Sequence, residues 1–102
     1  MERKYVITFD EVMIKQLKKI AKNNQLKEIL SRMLDKIEML GPLSGNLIDP
    51  KLHIYELKNK QPPLRLYFKH NKHSDEIYVF EYEMKTSQQK QKKTIDKLKL
   101  KS

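Results

Sequence analysis

The 102-residue sequence contains no cysteine and only two glycines, four prolines and 13 acidic residues against 22 lysines and arginines. Without cysteine there is no disulfide framework, no thiolate zinc site and no cysteine nucleophile, and a reducing compartment fits the chain. Two glycines are too few for a glycine-rich phosphate loop. No apolar run approaches the length needed to cross a bilayer, and the start, MERKYVITFDEV, lacks the apolar region of a signal peptide, so a cytoplasmic protein with no membrane partner is expected. The shortage of acids leaves a net charge of +9, unevenly spread. Residues 1–50 carry nine basic and seven acidic side chains, a net +2, whereas residues 51–102 carry thirteen and six, a net +7. Such a field attracts polyanions, and charge alone does not choose among a nucleic acid, a ribosomal surface, an acidic protein and an anionic membrane.

Enough patterned apolar residues remain to fold one domain over 1–102. KYVITFD (4–10) is β-branched and aromatic and predicts a strand, with Asp10 placed to cap a following helix. Met13, Ile14, Leu17, Ile20 and Ala21 recur at helical spacing, and Asn23-Asn24 supplies a break. A second helix runs through Leu26, Ile29, Leu30, Met33, Leu34, Ile37 and Leu40 and stops at Gly41-Pro42. Lys18, Lys22, Lys27, Arg32 and Lys36 lie off these stripes and read as a solvated face. GPLSGNLIDPK reads as a loop. Three strands follow, at 53–58, 64–70 and 76–85, with turns at Asn59 to Pro63 and Asn71 to Asp75. The last stretch, 86–102, is a short basic helix or a mobile tail with few apolar anchors, Ile95 and Leu98 among them. The fold class is therefore α+β: an N-terminal strand, a helical hairpin and a three-stranded antiparallel meander, with the hairpin on one sheet face.

Period two divides the meander chemically. Leu64, Leu66 and Phe68 point toward the helices, and Arg65, Tyr67 and Lys69 point away. Pairing of the first two meander strands brings Lys58, Arg65 and Tyr67 onto one surface, an arrangement suited to holding phosphates and stacking bases. The plainer reading is a set of charge pairs, Glu56 with Lys58 or Arg65, on the wet side of a half-buried sheet. Other constellations are weaker. His70, His73, Asp75 and Glu76 fall in a turn where Asn, Ser and Asp serve the backbone, so no metal site is expected. Glu81 and Glu83 share a phase but lack any sign of a sugar-sized cleft, and Ser44 lacks a nucleophile elbow.

Gly41-Pro42, Lys51-Leu52, Tyr55-Glu56-Leu57-Lys58, Leu64-Arg65 and Met84-Lys85-Thr86, in this order over Tyr5 to Leu98, resemble the RelE/ParE superfamily of toxins and in particular its HigB-like, phage-associated branch. The resemblance implies a RelE-like fold and a type II toxin of a toxin–antitoxin module. Such a toxin enters the 30S A site of the ribosome, cleaves mRNA there as an endoribonuclease without metal or other cofactor, and is neutralised by a cognate antitoxin protein. It assigns catalytic roles to Lys58, Arg65 and Lys85, with Tyr67 as the tyrosine nearest in phase to Arg65. Lys60 and Lys69 on the hairpin and Lys90, Lys92 and Lys93 in the basic stretch are expected to bind RNA. The chain departs from the pattern in having neither tyrosine nor histidine after Tyr82, in carrying Lys58 for the usual arginine, and in carrying Met84 for a lysine. The alternative is a non-catalytic, ParE-like inhibitor of DNA gyrase, or a nucleic-acid-binding protein of the same fold, which would not need the set Lys58, Arg65 and Lys85.

Overall fold

A computed structural model describes residues 5–84 and 87–102. β1 (Val6–Phe9) leads into α1 (Glu11–Lys19), a 3-10 turn over Ile20–Lys22 and α2 (Asn24–Leu40). A second 3-10 turn (Gly41–Ser44) precedes β2 (Asn46–Asp49), β3 (Ile54–Asn59), β4 (Leu64–Asn71), β5 (Glu76–Met84) and α3 (Gln88–Lys101). The strands form one mixed sheet in the order β1-β5-β4-β3-β2. β1 runs parallel to β5, pairing Val6 with Glu76 and Phe9 with Val79. The meander is antiparallel throughout.

The capping residues act as their chemistry suggests. Asp10 accepts from the Val12 amide at 3.0 Å and Asn23 from the Leu26 amide at 3.1 Å, so each satisfies an otherwise orphaned helix N–H. α2 ends at Gly41, whose φ of +57° is open to glycine at little cost. Met13, Ile20, Ile29, Leu30, Met33 and Ile37 from the helical hairpin meet Leu57, Leu64, Leu66, Phe68, Ile77 and Val79 of the sheet in the main core. This is the α+β arrangement expected from the sequence, with the strand boundaries displaced by a residue or so.

Two features differ from that expectation or add to it. GPLSGNLIDPK is not wholly a loop: Asn46–Asp49 pairs with β3 as an edge strand, and Gly45 permits the approach because a Cβ there would lie 2.5 Å from the Glu56 carbonyl oxygen. The basic C-terminal stretch is helical, and it lies on the sheet face opposite the hairpin. There Leu98 and Ile95 pack against Ile54, Tyr67 and Phe80, forming a second, smaller core. A bulge in β5 supports this docking: Tyr67 pairs with Glu81 and Phe68 with Val79, so Phe80 is an extra residue. Phe80 keeps the phase of Tyr78 under α3, and beyond it the bulge shifts the strand's alternation so that Tyr82 turns to the main core.

Candidate functional site

At one end of β3 and β4, Lys58 stands directly opposite Arg65 in the antiparallel register. Adjacent like charges would repel, and Glu56, two residues before Lys58 and on the same face, stabilises them. Its Oε1 is 3.4 Å from Lys58 Nζ and its Oε2 is 3.7 Å from Arg65 Nε. The Arg65 side chain is only 17% exposed, whereas that of Lys58 is 52% exposed. The guanidinium is thus fixed and the ammonium is free to reach a ligand. Glu56 Oε2 also accepts from Gln91 Nε2 of α3 at 3.3 Å. The charge pairing that the alternating pattern allowed therefore exists, and it organises the two cations.

A cleft of about 230 Å³ opens beside this cluster, lined by Lys58, Asn59, Lys60, Leu64, Arg65 and Pro63. Glu56 stands behind the cations. An adjoining hollow of about 250 Å³ joins Lys58 to Arg32 and Lys36 of α2. The sequence pattern assigned Arg32 and Lys36 only to a solvated face. Their proximity to Lys58 depends on how α2 crosses the sheet, which helical periodicity does not encode.

The other expected site residues are distributed unevenly. Tyr67 does share the face of Arg65, but it is fully buried beneath α3 instead of open to a ligand. Its hydroxyl donates to Glu83 Oε1 at 3.2 Å, and Glu83 also accepts from the Thr94 hydroxyl of α3. Burial, then the Glu83 carboxylate, pushes the Tyr67 phenol far above its ordinary value of 10.0. It is held as a neutral hydrogen-bond donor. The physical reason that the surface is closed is Leu98 with Ile95, enough apolar anchorage to dock a helix that the lysine count made look solvated. Lys60 lines the cleft, while Lys69 lies at the other end of β4. Lys90, Lys92 and Lys93 are exposed on α3. Lys85, with Thr86, lies outside the described residues. Among the described residues no group of three or more histidine, cysteine, aspartate or glutamate side chains is placed to hold a metal ion, and no helix is long and apolar enough to cross a membrane.

Other charges fasten α3 to the sheet. Lys97 pairs with Glu81 at 3.0 Å, Lys99 with Asp49 at 3.6 Å and Lys101 with Asp10 at 2.9 Å. Asp10 additionally accepts from the Tyr78 hydroxyl at 2.6 Å. Every one of these carboxylates is on the sheet or an adjoining cap, and every ammonium is on α3.

No family model matches the chain, and no curated protein is significantly similar in sequence. Among solved structures the similarity is clear. The isolated Escherichia coli RelE toxin superposes with a TM-score of 0.67 at 18% identity, covering 93% of this chain and 99% of that one. The intact E. coli RelBE toxin–antitoxin complex gives 0.69 at 18% identity, with 82% of this chain and 100% of the other covered. A RelBE complex from Mycobacterium tuberculosis gives 0.62 at 11% identity, covering 79% and 98%. The chain has the fold of RelE toxins.

Proposed function

We propose that the protein is the toxin of a toxin–antitoxin pair and an endoribonuclease that cleaves mRNA in the ribosomal A site. The observation that carries this reading is the cross-strand pair Lys58 and Arg65, steered by Glu56 at the edge of a basic cleft. The RelE-like fold supports it, and the two RelBE complexes support an antitoxin as partner. The finer placement in the HigB-like branch rests on the order of motifs around Gly41-Pro42, Tyr55–Lys58 and Leu64-Arg65. A reducing, cytoplasmic setting agrees with a chain that has no cysteine.

The reaction is attack of a ribose 2′-hydroxyl on the neighbouring phosphodiester. The proton leaves the hydroxyl, negative charge grows on the phosphoryl oxygens, and the 5′-oxygen departs with a proton. Arg65 suits the second step, since a fixed, planar guanidinium grips two phosphate oxygens and carries donors only. Lys58 adds a mobile ammonium for the non-bridging oxygens or the leaving oxygen. Glu56, buried behind the cleft, orients both cations, and the hydroxyl proton passes to solvent in the open cleft. Lys60 extends the cleft along the RNA backbone, and Lys85 provides a further cation by its place in the motif. Tyr67 serves indirectly, by holding Glu83 and the α3 interface.

The test is toeprinting on programmed ribosomes with purified protein. Cuts in the A-site codon are expected from the wild type, and Arg65→Ala should abolish them with an unchanged far-UV CD spectrum. Cutting that persists in Arg65→Ala removes Arg65 from the mechanism. The covered face around Tyr67 favours a second reading, non-catalytic inhibition in the ParE manner. In that case ribosomes remain uncut and DNA gyrase supercoiling is blocked.

A further inference from the structure

A larger cavity, of about 490 Å³, lies at the opposite end of β3 and β4 from Arg65. Its rim carries His53, Lys69, His70, Lys72, His73 and Lys101, and Tyr78 forms part of its wall. Few acids answer this collection. Glu76 lines the cavity but accepts from the Thr8 hydroxyl at 3.3 Å, and Lys101 is committed to Asp10. Among the described residues Lys69 and Lys72 have no carboxylate within ion-pairing distance. Among the described residues the buried Nε2 of His70 has no hydrogen-bond partner, and Asp75 Oδ1 lies 3.7 Å from it.

The backbone around this cavity is constrained. His53 (φ +55°) and Asp75 (φ +53°) occupy the left-handed region, which is unfavourable for a non-glycine residue and persists only where its neighbours hold it. His53 is held by its carbonyl, which accepts from the His70 amide at 3.0 Å. Tyr78 is fixed through its hydroxyl by Asp10. A rigid aromatic wall beside two uncommitted ammonium groups is the combination that binds single-stranded nucleic acid, with phosphates on the cations and a base on the ring. An acidic peptide would use the cations and leave the aromatic wall without a purpose.

We propose that this groove is a second RNA subsite that takes the phosphates of single-stranded RNA on Lys69 and Lys72 and a base against Tyr78. The proposal rests on the reading of the protein as an RNA-cleaving enzyme and extends it along the strand. Arg65 and Lys69 lie on the same face of β4, four residues or roughly 13 Å apart at ~3.3 Å per residue, but α3 covers Tyr67 between them, so a message reaching both sites passes around α3 and spans more than the roughly four nucleotides of the direct line. The groove would hold the message on one side of the cleavage point, outside the area where α3 docks.

The experiment measures fluorescence anisotropy of a labelled, unstructured 12-nucleotide RNA with the full chain over a KCl series. Each phosphate that is no longer neutralised should lower the slope of log K against log salt by about 0.7, so Lys69→Ala/Lys72→Ala should reduce it by roughly 1.4 and weaken binding about tenfold near 0.1 M salt. Lys18→Ala/Lys19→Ala, on the exposed side of α1, removes the same net charge and should leave the slope unaltered. Equal slopes in the two double variants, or no RNA binding by the wild type at low salt, overturn the proposal. Lys69→Gln/Lys72→Gln repeats the measurement if the alanine pair fails to fold. Ribosome cleavage is scored separately: absent cuts with a lowered slope reject only the nuclease reading, and intact cuts with an unchanged slope reject only the groove.

Discussion

Replacing Asp10 should unfasten three parts of the fold at once. The carboxylate caps α1 through the Val12 amide, accepts the Tyr78 hydroxyl of β5 and holds Lys101 near the end of α3. Removing an N-cap costs about 1 kcal/mol. The hydrogen bond to a charged acceptor adds about 1.5–3 kcal/mol, and the ion pair, with Lys101 30% exposed, adds little after solvent screening. Asp10→Ala should therefore lose roughly 2–4 kcal/mol. Asp10→Asn retains an acceptor for the cap and for Tyr78 and should lose only about half of that. Burial by itself would raise the Asp10 pKa, but hydrogen bonds from Tyr78, Lys101 and Val12 together hold it below its ordinary value of 3.8. A depressed carboxylate contributes its full stability above that ordinary value and loses it as pH falls through the folded-state value. The wild type should thus destabilise on acidification more steeply than Asp10→Asn. Urea denaturation at neutral pH and melting curves taken down through the acid range measure both effects. An Asp10→Ala variant within about 0.5 kcal/mol of wild type would refute the idea that this one carboxylate ties three elements together.

Leu98→Ala removes the main apolar anchor of α3 and should raise hydrogen exchange throughout Gln88–Lys101 while the β4 and β5 amides stay protected; uniform loss of protection would show that α3 is not a separate unit of stability. In an alkaline titration followed by tyrosine absorbance, Tyr67 and Tyr78 should ionise late. The Tyr78 phenol is pushed up to about 12, first by its bond to the Asp10 carboxylate and then by burial. Because a raised folded-state value means that stability is complete below about 10 and lost as pH rises toward 12, Tyr78→Phe should flatten the alkaline limb of the stability profile.

The hairpin helices and the meander were legible because their apolar residues repeat with the right periods over long segments, and because Asp10, Asn23 and Gly41 mark the ends. The pairing of Lys58 with Arg65 across β3 and β4 followed from the same alternation. What alternation could not convey is whether a polar face is covered. Leu98 and Ile95 are scattered among the lysines of α3, and only the tertiary fit of Leu98 against Tyr67 and Phe80 turns them into a docking surface. Phe80 illustrates the same limit: a bulge breaks the period of two, so the phase read from Ile77 and Val79 does not continue to Glu81. Nor could the linear pattern bring Arg32 and Lys36 to Lys58, or gather His53 with Lys69 and Lys72. Each of those meetings depends on an inter-element distance rather than on spacing within an element.

The parallel ladder between β1 and β5 sets an order of events during synthesis. Val6 finds Glu76 only after roughly seventy further residues have emerged, so β1 acquires its partner later than β3 and β4 acquire each other. Until then the apolar side of the helical hairpin has no finished sheet to cover it, and the nascent chain leaves the tunnel with that surface bare. The β3–β4 hairpin that sets Lys58 against Arg65 is local and needs neither β5 nor β1, so the cleft is able to form before the far edge of the sheet closes.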